Sequence, residues 1–221
     1  MTQLSYTATS LSQGRTYQFK VKARNVYGFS VFSSTISVLT AQPPAQPISP
    51  TTVWSPDNVI ISWTSPDNGG SPITGYTVTI RQADGSTFTS DLTHCDMSAS
   101  TSTTCSVPVS SLRSSPYSLQ WGDSVYAKVF ATNIYGNSLE SDEGNGAIIT
   151  TTPDRPLNLV EDTVQRTKST LGLTWSQAEF TGGATIIDYR ISIAQVGSAF
   201  SVIASNVVSP SYTAVDLTAG I

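Results

Sequence analysis

Charge is scarce in this chain: only 12% of its 221 residues are Asp, Glu, Lys or Arg, and the formal net charge is −4 with a pI near 4.8. Nucleic acid, which demands a basic face, is therefore not an expected partner. Histidine occurs once, as His94. A serine or cysteine nucleophile needs a nearby base, most often histidine, so no enzyme is expected. The double glycines at 69–70 and 182–183 are followed by neither Lys nor a helix-forming stretch, so no phosphate cradle is read there and no cofactor is expected. No apolar run approaches the ~18 residues of a membrane span. The residues after Met1 are polar rather than signal-like. Neither Asn-x-Ser/Thr nor Arg-Gly-Asp occurs, so N-glycosylation and that particular integrin mode have no support.

Serine and threonine are what the chain has in excess, at about three residues in ten. Thr suits a pleated, half-wet strand surface and Ser suits turns, so this is the composition of a β-rich protein with a neutral polar surface. It also offers many hydroxyls for O-linked glycans.

One stretch organises the rest. Val59-Ile-Ile-Ser-Trp63 alternates apolar residues into a tryptophan, a loop follows through Asp67-Asn-Gly69-Gly70, and a second alternating run carries Ile73 and Tyr76. Leu171-Gly-Leu-Thr-Trp175, Gly182-Gly183 and Ile186-Ile-Asp-Tyr189 repeat it. Self-similarity of this kind marks a module array, and the length suits modules of about 100 residues. The block resembles the B–C corner of fibronectin type III modules, relatives of the immunoglobulin sandwich, which implies an all-β chain of tandem antiparallel β-sandwiches. The layout is also similar to tandem modules in large surface proteins of unicellular eukaryotes.

On that resemblance, residues 1–42 correspond to strands E, F and G of one module. Leu4–Ala8 is expected as strand E. Leu11, Gly14 and Tyr17 resemble the E–F corner, where the tyrosine hydroxyl ties the corner to nearby backbone. Tyr17-Gln-Phe19-Lys-Val21-Lys-Ala23 alternates without a slip, as a strand with one wet face does. A proline-rich linker, Ala41–Pro47, leads into a complete module at 43–152. There Val59, Ile61 and Trp63 line strand B, and Tyr76, Val78 and Ile80 point inward from strand C. Asp84-Gly85 signals a hairpin into C′ over 87–92. Val125, Ala127, Val129 and Ala131 line strand F, with strand G expected over 146–152. Val125 stands where the corner tyrosine belongs. Residues 153–221 correspond to strands A to E of a further module, with strands over 157–160, 171–175, 187–193, 200–204 and 211–217, and Leu217–Gly220 resembling the start of another corner.

Two completions of the partial modules are open: a longer array of which this chain is a window, or a neighbouring copy that lends strands. Ser5-Tyr-Thr-Ala8 duplicates Ser211-Tyr-Thr-Ala214, and this redundancy favours the window.

Cys95 and Cys105 flank a short Ser/Thr-rich loop and are expected to form a disulfide, with two free thiols as the alternative. A metal site from His94, Cys95, Asp96 and Cys105 lacks the repeated ligand pair of zinc spacing, so no metal site is assigned. Glu140-Ser-Asp142-Glu143 lacks the ligand spacing of a calcium loop. Trp63 and Trp175 are read as core. Trp54, in the expected A–B loop, and Trp121, in the E–F loop, are candidates for packing against a neighbouring module. Tyr126 and Phe130, on the outer face of strand F, are candidates for lateral contact.

The expected function is structural: an extracellular or cell-surface filament, stalk or flagellar or ciliary hair, built from end-to-end modules. Its partners would be further copies or neighbouring modules of the same long chain. A ligand- or glycan-binding ectodomain of an adhesin or receptor is the first alternative, and a spacer module of a carbohydrate-active enzyme the second.

Overall fold

The computed structural model describes residues 3–217. It divides into two units, Met1–Leu119 with Ser124–Ile148, and Gln120–Asp123 with Ile149–Ile221.

The first unit opens with β1 (Thr16–Phe19), β2 (Arg24–Asn25), β3 (Gly28–Phe29) and β4 (Ile36–Leu39), with β1 antiparallel to β4 and β2 to β3. The Tyr17 hydroxyl accepts the Ser12 N–H at 3.0 Å, the corner bond its position implied. The strand expected at Leu4–Ala8 does not form, and Leu4 and Tyr6 stand exposed. Strand E gains its ladder from strand B, and no B strand precedes it among the described residues.

A sandwich follows, built from β5 (Thr51–Ser55), β6 (Asn58–Ser62), β7 (Gly75–Arg81), β8 (Phe88–Thr89), β9 (Thr104–Pro108), α1 (Val109–Leu112), β10 (Ser124–Val125), β11 (Ala127–Asn133), β12 (Gly136–Asn137) and β13 (Ala147–Ile148). One sheet has the order β5-β6-β9, the other β12-β11-β7-β8, and β10 pairs with β13. Strand alternation decides what lies between the sheets. Val59, Ile61 and Val107 from one sheet and Tyr76, Val78, Ile80, Ala127, Val129 and Ala131 from the other are all at most 2% exposed. Each large aliphatic buried this way contributes roughly 1.5–3 kcal/mol. Trp63 closes one end of this core with its ring edge-on to Tyr76 at 5.3 Å.

Two features were not expected. C′ is only two residues long, at β8. Beyond β12 the chain runs on without strand pairing and meets β11 at every third residue, through Ser138 N–H to Ala131 C=O and Ser141 N–H to Val129 C=O. The skipped donors are recovered by side chains: Ser138 Oγ and Ser141 Oγ accept the Ala131 and Val129 N–H groups, both at 3.0 Å. Ser30 and Ser33 repeat both arrangements against Ala23 and Val21.

The second unit holds β14 (Leu157–Asp162), a 3-10 turn at Thr163–Gln165, β15 (Leu171–Ser176), β16 (Tyr189–Ile193), β17 (Ser201–Val207) and β18 (Ser211–Ala214). Its sheets are β14-β15-β18 and β16-β17. Trp175 meets Tyr189 edge-on at 5.2 Å, the same pair that closes the core of the first unit. β16 starts two residues later than the sequence pattern suggested, leaving Ile187 exposed. Of the corner expected at Leu217–Gly220, residues 218–220 lie outside the described residues.

Candidate module-interface site

In the first unit the glycine of the E–F corner is seated on the double glycine of the B–C loop. Gly14, Gly69 and Gly70 all have positive φ, of +72°, +70° and +85°, a region that only glycine enters without cost. The segment leaving β4 runs across the loop, with Gln42 N–H donating to Gly69 C=O at 2.8 Å and Ala45 N–H to Asp67 C=O at 2.9 Å. Space allows nothing larger: a methyl on Gly70 would lie 2.6 Å from Gly14 N and 2.8 Å from Thr40 O, and one on Gly69 2.5 Å from Pro43 O.

Side chains then lock this approach. Gln13 Nε2 donates to Asp67 Oδ1 at 2.8 Å, and the same oxygen accepts the Gly69 N–H at 2.9 Å. The Gly69 N–H and then the Gln13 amide hold the Asp67 carboxyl below the usual carboxylate range. Asn133, 4% exposed at the end of β11, donates through Nδ2 to Gln42 O at 2.8 Å and to Asn68 O at 2.9 Å. Strand end, linker and loop are thereby joined by one amide.

The second unit carries the same backbone frame. Gly122 N–H donates to Ile149 C=O, Thr151 N–H to Gly182 C=O and Asp154 N–H to Phe180 C=O, at 2.9, 2.8 and 3.1 Å. Gly122, Gly182 and Gly183 have φ of +97°, +76° and +80°. A methyl on Gly183 would press on Gly122 N and lie 2.7 Å from the Trp121 carbonyl carbon. These glycine contacts are the main element that the sequence reading missed as interface. The signal was present, since corner glycine and double glycine each occur twice.

The residues singled out from the sequence fall as follows. Cys95 and Cys105 are bonded, with their Cα atoms 5.3 Å apart, and tie the loop after β8 to the buried side of β9. Trp121 is half-buried in the Gln120–Asp123 turn, where Gln120 N–H is held by Asp123 Oδ2 at 2.7 Å, and its backbone abuts Gly183. Trp54 corrects the expectation of a loop. It stands on β5 opposite Val59, 38% exposed, because a tight turn through Asp57 at φ +73° lets the strand run to Ser55. Tyr126 faces outward as expected, but its ring is covered by Arg81 at 3.9 Å, itself held by Glu143 at 3.0 Å. Phe130 is half-buried on the same face, opposite Thr77.

A polar hollow of about 400 Å³ is lined among others by Asp91, His94, Ser111, Ser114 and Tyr117. Asp91 Oδ1 accepts the Thr93 and His94 N–H groups, and the His94 ring lies 3.1 Å from Oδ2. Among the described residues no group of three or more His, Cys, Asp or Glu gathers to hold a metal. No helix of the described residues is long and apolar enough to cross a membrane.

Two packed antiparallel sheets in the order β5-β6-β9 and β12-β11-β7-β8 define the class as an all-β, immunoglobulin-like sandwich. Residues 43–143 match the family Fibronectin type III domain. A Kelch domain-containing protein of Saccharolobus solfataricus is 38% identical over 78 residues, 35% of this chain and 11% of that protein's length. Among solved structures, domains A168–A170 of titin align over 92% of this chain and 64% of that one, at 17% identity and a TM-score of 0.47. The FN1–FN3 domains of chicken CNTN1 align over 95% and 68%, at 16% identity and a TM-score of 0.41.

Proposed function

We propose that this protein is a structural component of an extracellular or cell-surface filament, stalk or hair, in which sandwich modules are stacked end to end. In this reading residues 1–42 close one module, 43–152 form the next and 153–221 open a third. The observation that carries it is the twofold occurrence of one joint, a corner glycine seated on a double glycine and crossed by two backbone hydrogen bonds. A joint built from backbone at van der Waals distance holds a fixed geometry, which a load-bearing stalk needs and a loosely tethered module does not. The disulfide suits an oxidising compartment. Partners are neighbouring modules or further copies, and the serine- and threonine-rich surface accepts O-linked glycans.

Electron microscopy of the native material tests this. Fibres or stalks with an axial repeat of one or a few modules are expected, whereas discrete particles with no extended assembly would overturn it. A ligand-binding ectodomain is the second reading, and the hollow around Asp91, His94 and Tyr117 is what favours it. Saturable glycan or peptide binding that is lost on His94→Ala would move the assignment there.

A further inference from the structure

The corner-to-loop frame is the same in both units, yet the side chains set into it differ. Backbone register gives the equivalences. Gly14 N–H to Thr40 C=O matches Gly122 N–H to Ile149 C=O, and Ala45 N–H to Asp67 C=O matches Asp154 N–H to Phe180 C=O. The residue before the corner glycine is therefore Gln13 in one frame and Trp121 in the other. The loop residue two places before the double glycine is Asp67 in one and Phe180 in the other. In the first frame the two are hydrogen-bonded, Gln13 Nε2 to Asp67 Oδ1, at 2.8 Å. In the second both are aromatic, Trp121 half-buried and Phe180 37% exposed. Two polar residues at these positions have been exchanged for two aromatic ones while the backbone frame stayed the same.

We propose that these two positions form a matching code for neighbouring modules: a corner with Gln takes a loop with Asp, and a corner with Trp takes a loop with Phe. The partner each surface fits is thus a second module of this fold bearing the complementary residue. Discrimination comes from mismatches as much as from matches. Trp against Asp67 removes the amide donor and takes water from a carboxylate. Gln against Phe180 covers an amide with a ring that cannot accept its hydrogen bonds. The order of modules along an array is then written into the joints themselves. This deepens the stacked-module reading and rests on it.

Amide hydrogen exchange on the whole chain decides the matter. The Gln42 and Ala45 amides report on the first frame and those of Thr151 and Asp154 on the second, because each donates across the joint. Gln13→Trp or Asp67→Phe alone is expected to speed exchange at Gln42 and Ala45 roughly fivefold, the scale of one lost hydrogen bond, and the double variant to recover most of that loss. Trp121→Gln alone is expected to expose Thr151 and Asp154, and adding Phe180→Asp to restore them. Unchanged protection at Thr79, which is paired with Lys128 in the β7–β11 ladder, shows that the variants are folded. Single variants without effect, or doubles whose loss is the product of the singles, overturn the code while leaving the stacking intact. Unprotected Gln42 and Thr151 in the unaltered chain overturn both.

Discussion

Replacing Gly70 by alanine isolates the contact on which the joint depends. Two costs combine. The residue sits at φ +85°, where an L side chain costs roughly 1–2 kcal/mol. Its new methyl would also lie 2.6 Å from Gly14 N, 2.8 Å from Gln13 Cγ and 2.8 Å from Thr40 O. Two of those three neighbours are backbone and cannot swing aside, so overpacking adds about 1–3 kcal/mol unless the joint opens. Gly85 is the internal control: its φ is +75°, but a methyl there meets nothing within 4 Å. Gly85→Ala should therefore show the conformational cost alone. Urea unfolding followed by tryptophan fluorescence, with amide exchange at Gln42, separates the cases. Gly70→Ala is expected either to lower stability well beyond Gly85→Ala or to abolish protection at Gln42. If it matches Gly85→Ala in stability and keeps Gln42 protected, the close approach of corner and loop is wrong.

Asn133→Ala, which removes one amide serving Gln42 O and Asn68 O from a site 4% exposed, should cost about 1–3 kcal/mol, read by chemical denaturation. Reduction of Cys95–Cys105, which closes a loop of sequence separation 10, should lower stability by roughly 2–3 kcal/mol, seen as a lower urea midpoint with a reductant present. At Asp91, burial pushes the carboxyl up, but the N–H groups of His94 and Thr93 and the His94 ring outweigh it and hold it below the usual range. A depressed folded pKa stabilises above the unfolded value near about 4 and loses that contribution as pH falls further. Asp91→Asn should therefore flatten the acid limb of the stability profile, and an unchanged limb would refute the assignment. Burial and then the Asp91 charge push the Tyr117 phenol up to about 12, so absorbance titration should find one tyrosine ionising last, and Tyr117→Phe should remove that step.

Much of the sandwich was legible because strand period is local. Val59, Ile61 and Trp63, or Val125, Ala127, Val129 and Ala131, announce their face by alternation, and burial follows it. The tryptophan–tyrosine pair and the turn at Asn133 could be read from recurrence alone. What failed was whatever needed a partner distant in sequence. Ser5–Ala8 has strand composition but no ladder to join. Trp54 was misplaced because the hairpin at Asp57 is tighter than its residues suggest. The short helix Val109–Leu112 and the serine-bridged segment after β12 carry no periodic signal. Most of the candidate interface was hidden for the same reason: a glycine in a loop reads as a turn until the backbone it must admit is known.

The paired hydroxyls of Ser30 and Ser33, and of Ser138 and Ser141, bear on a hazard of any chain that repeats one fold. Identical neighbours held at high local concentration are prone to trade strands, and an open sheet margin is the template for the exchange. Here the segments following β3 and β12 are fastened only at every third residue, and their serine oxygens occupy the donors left between. An incoming strand of regular pleat would find no continuous row to copy. On the stacked-module proposal, serine at these four places would serve as insulation between neighbours.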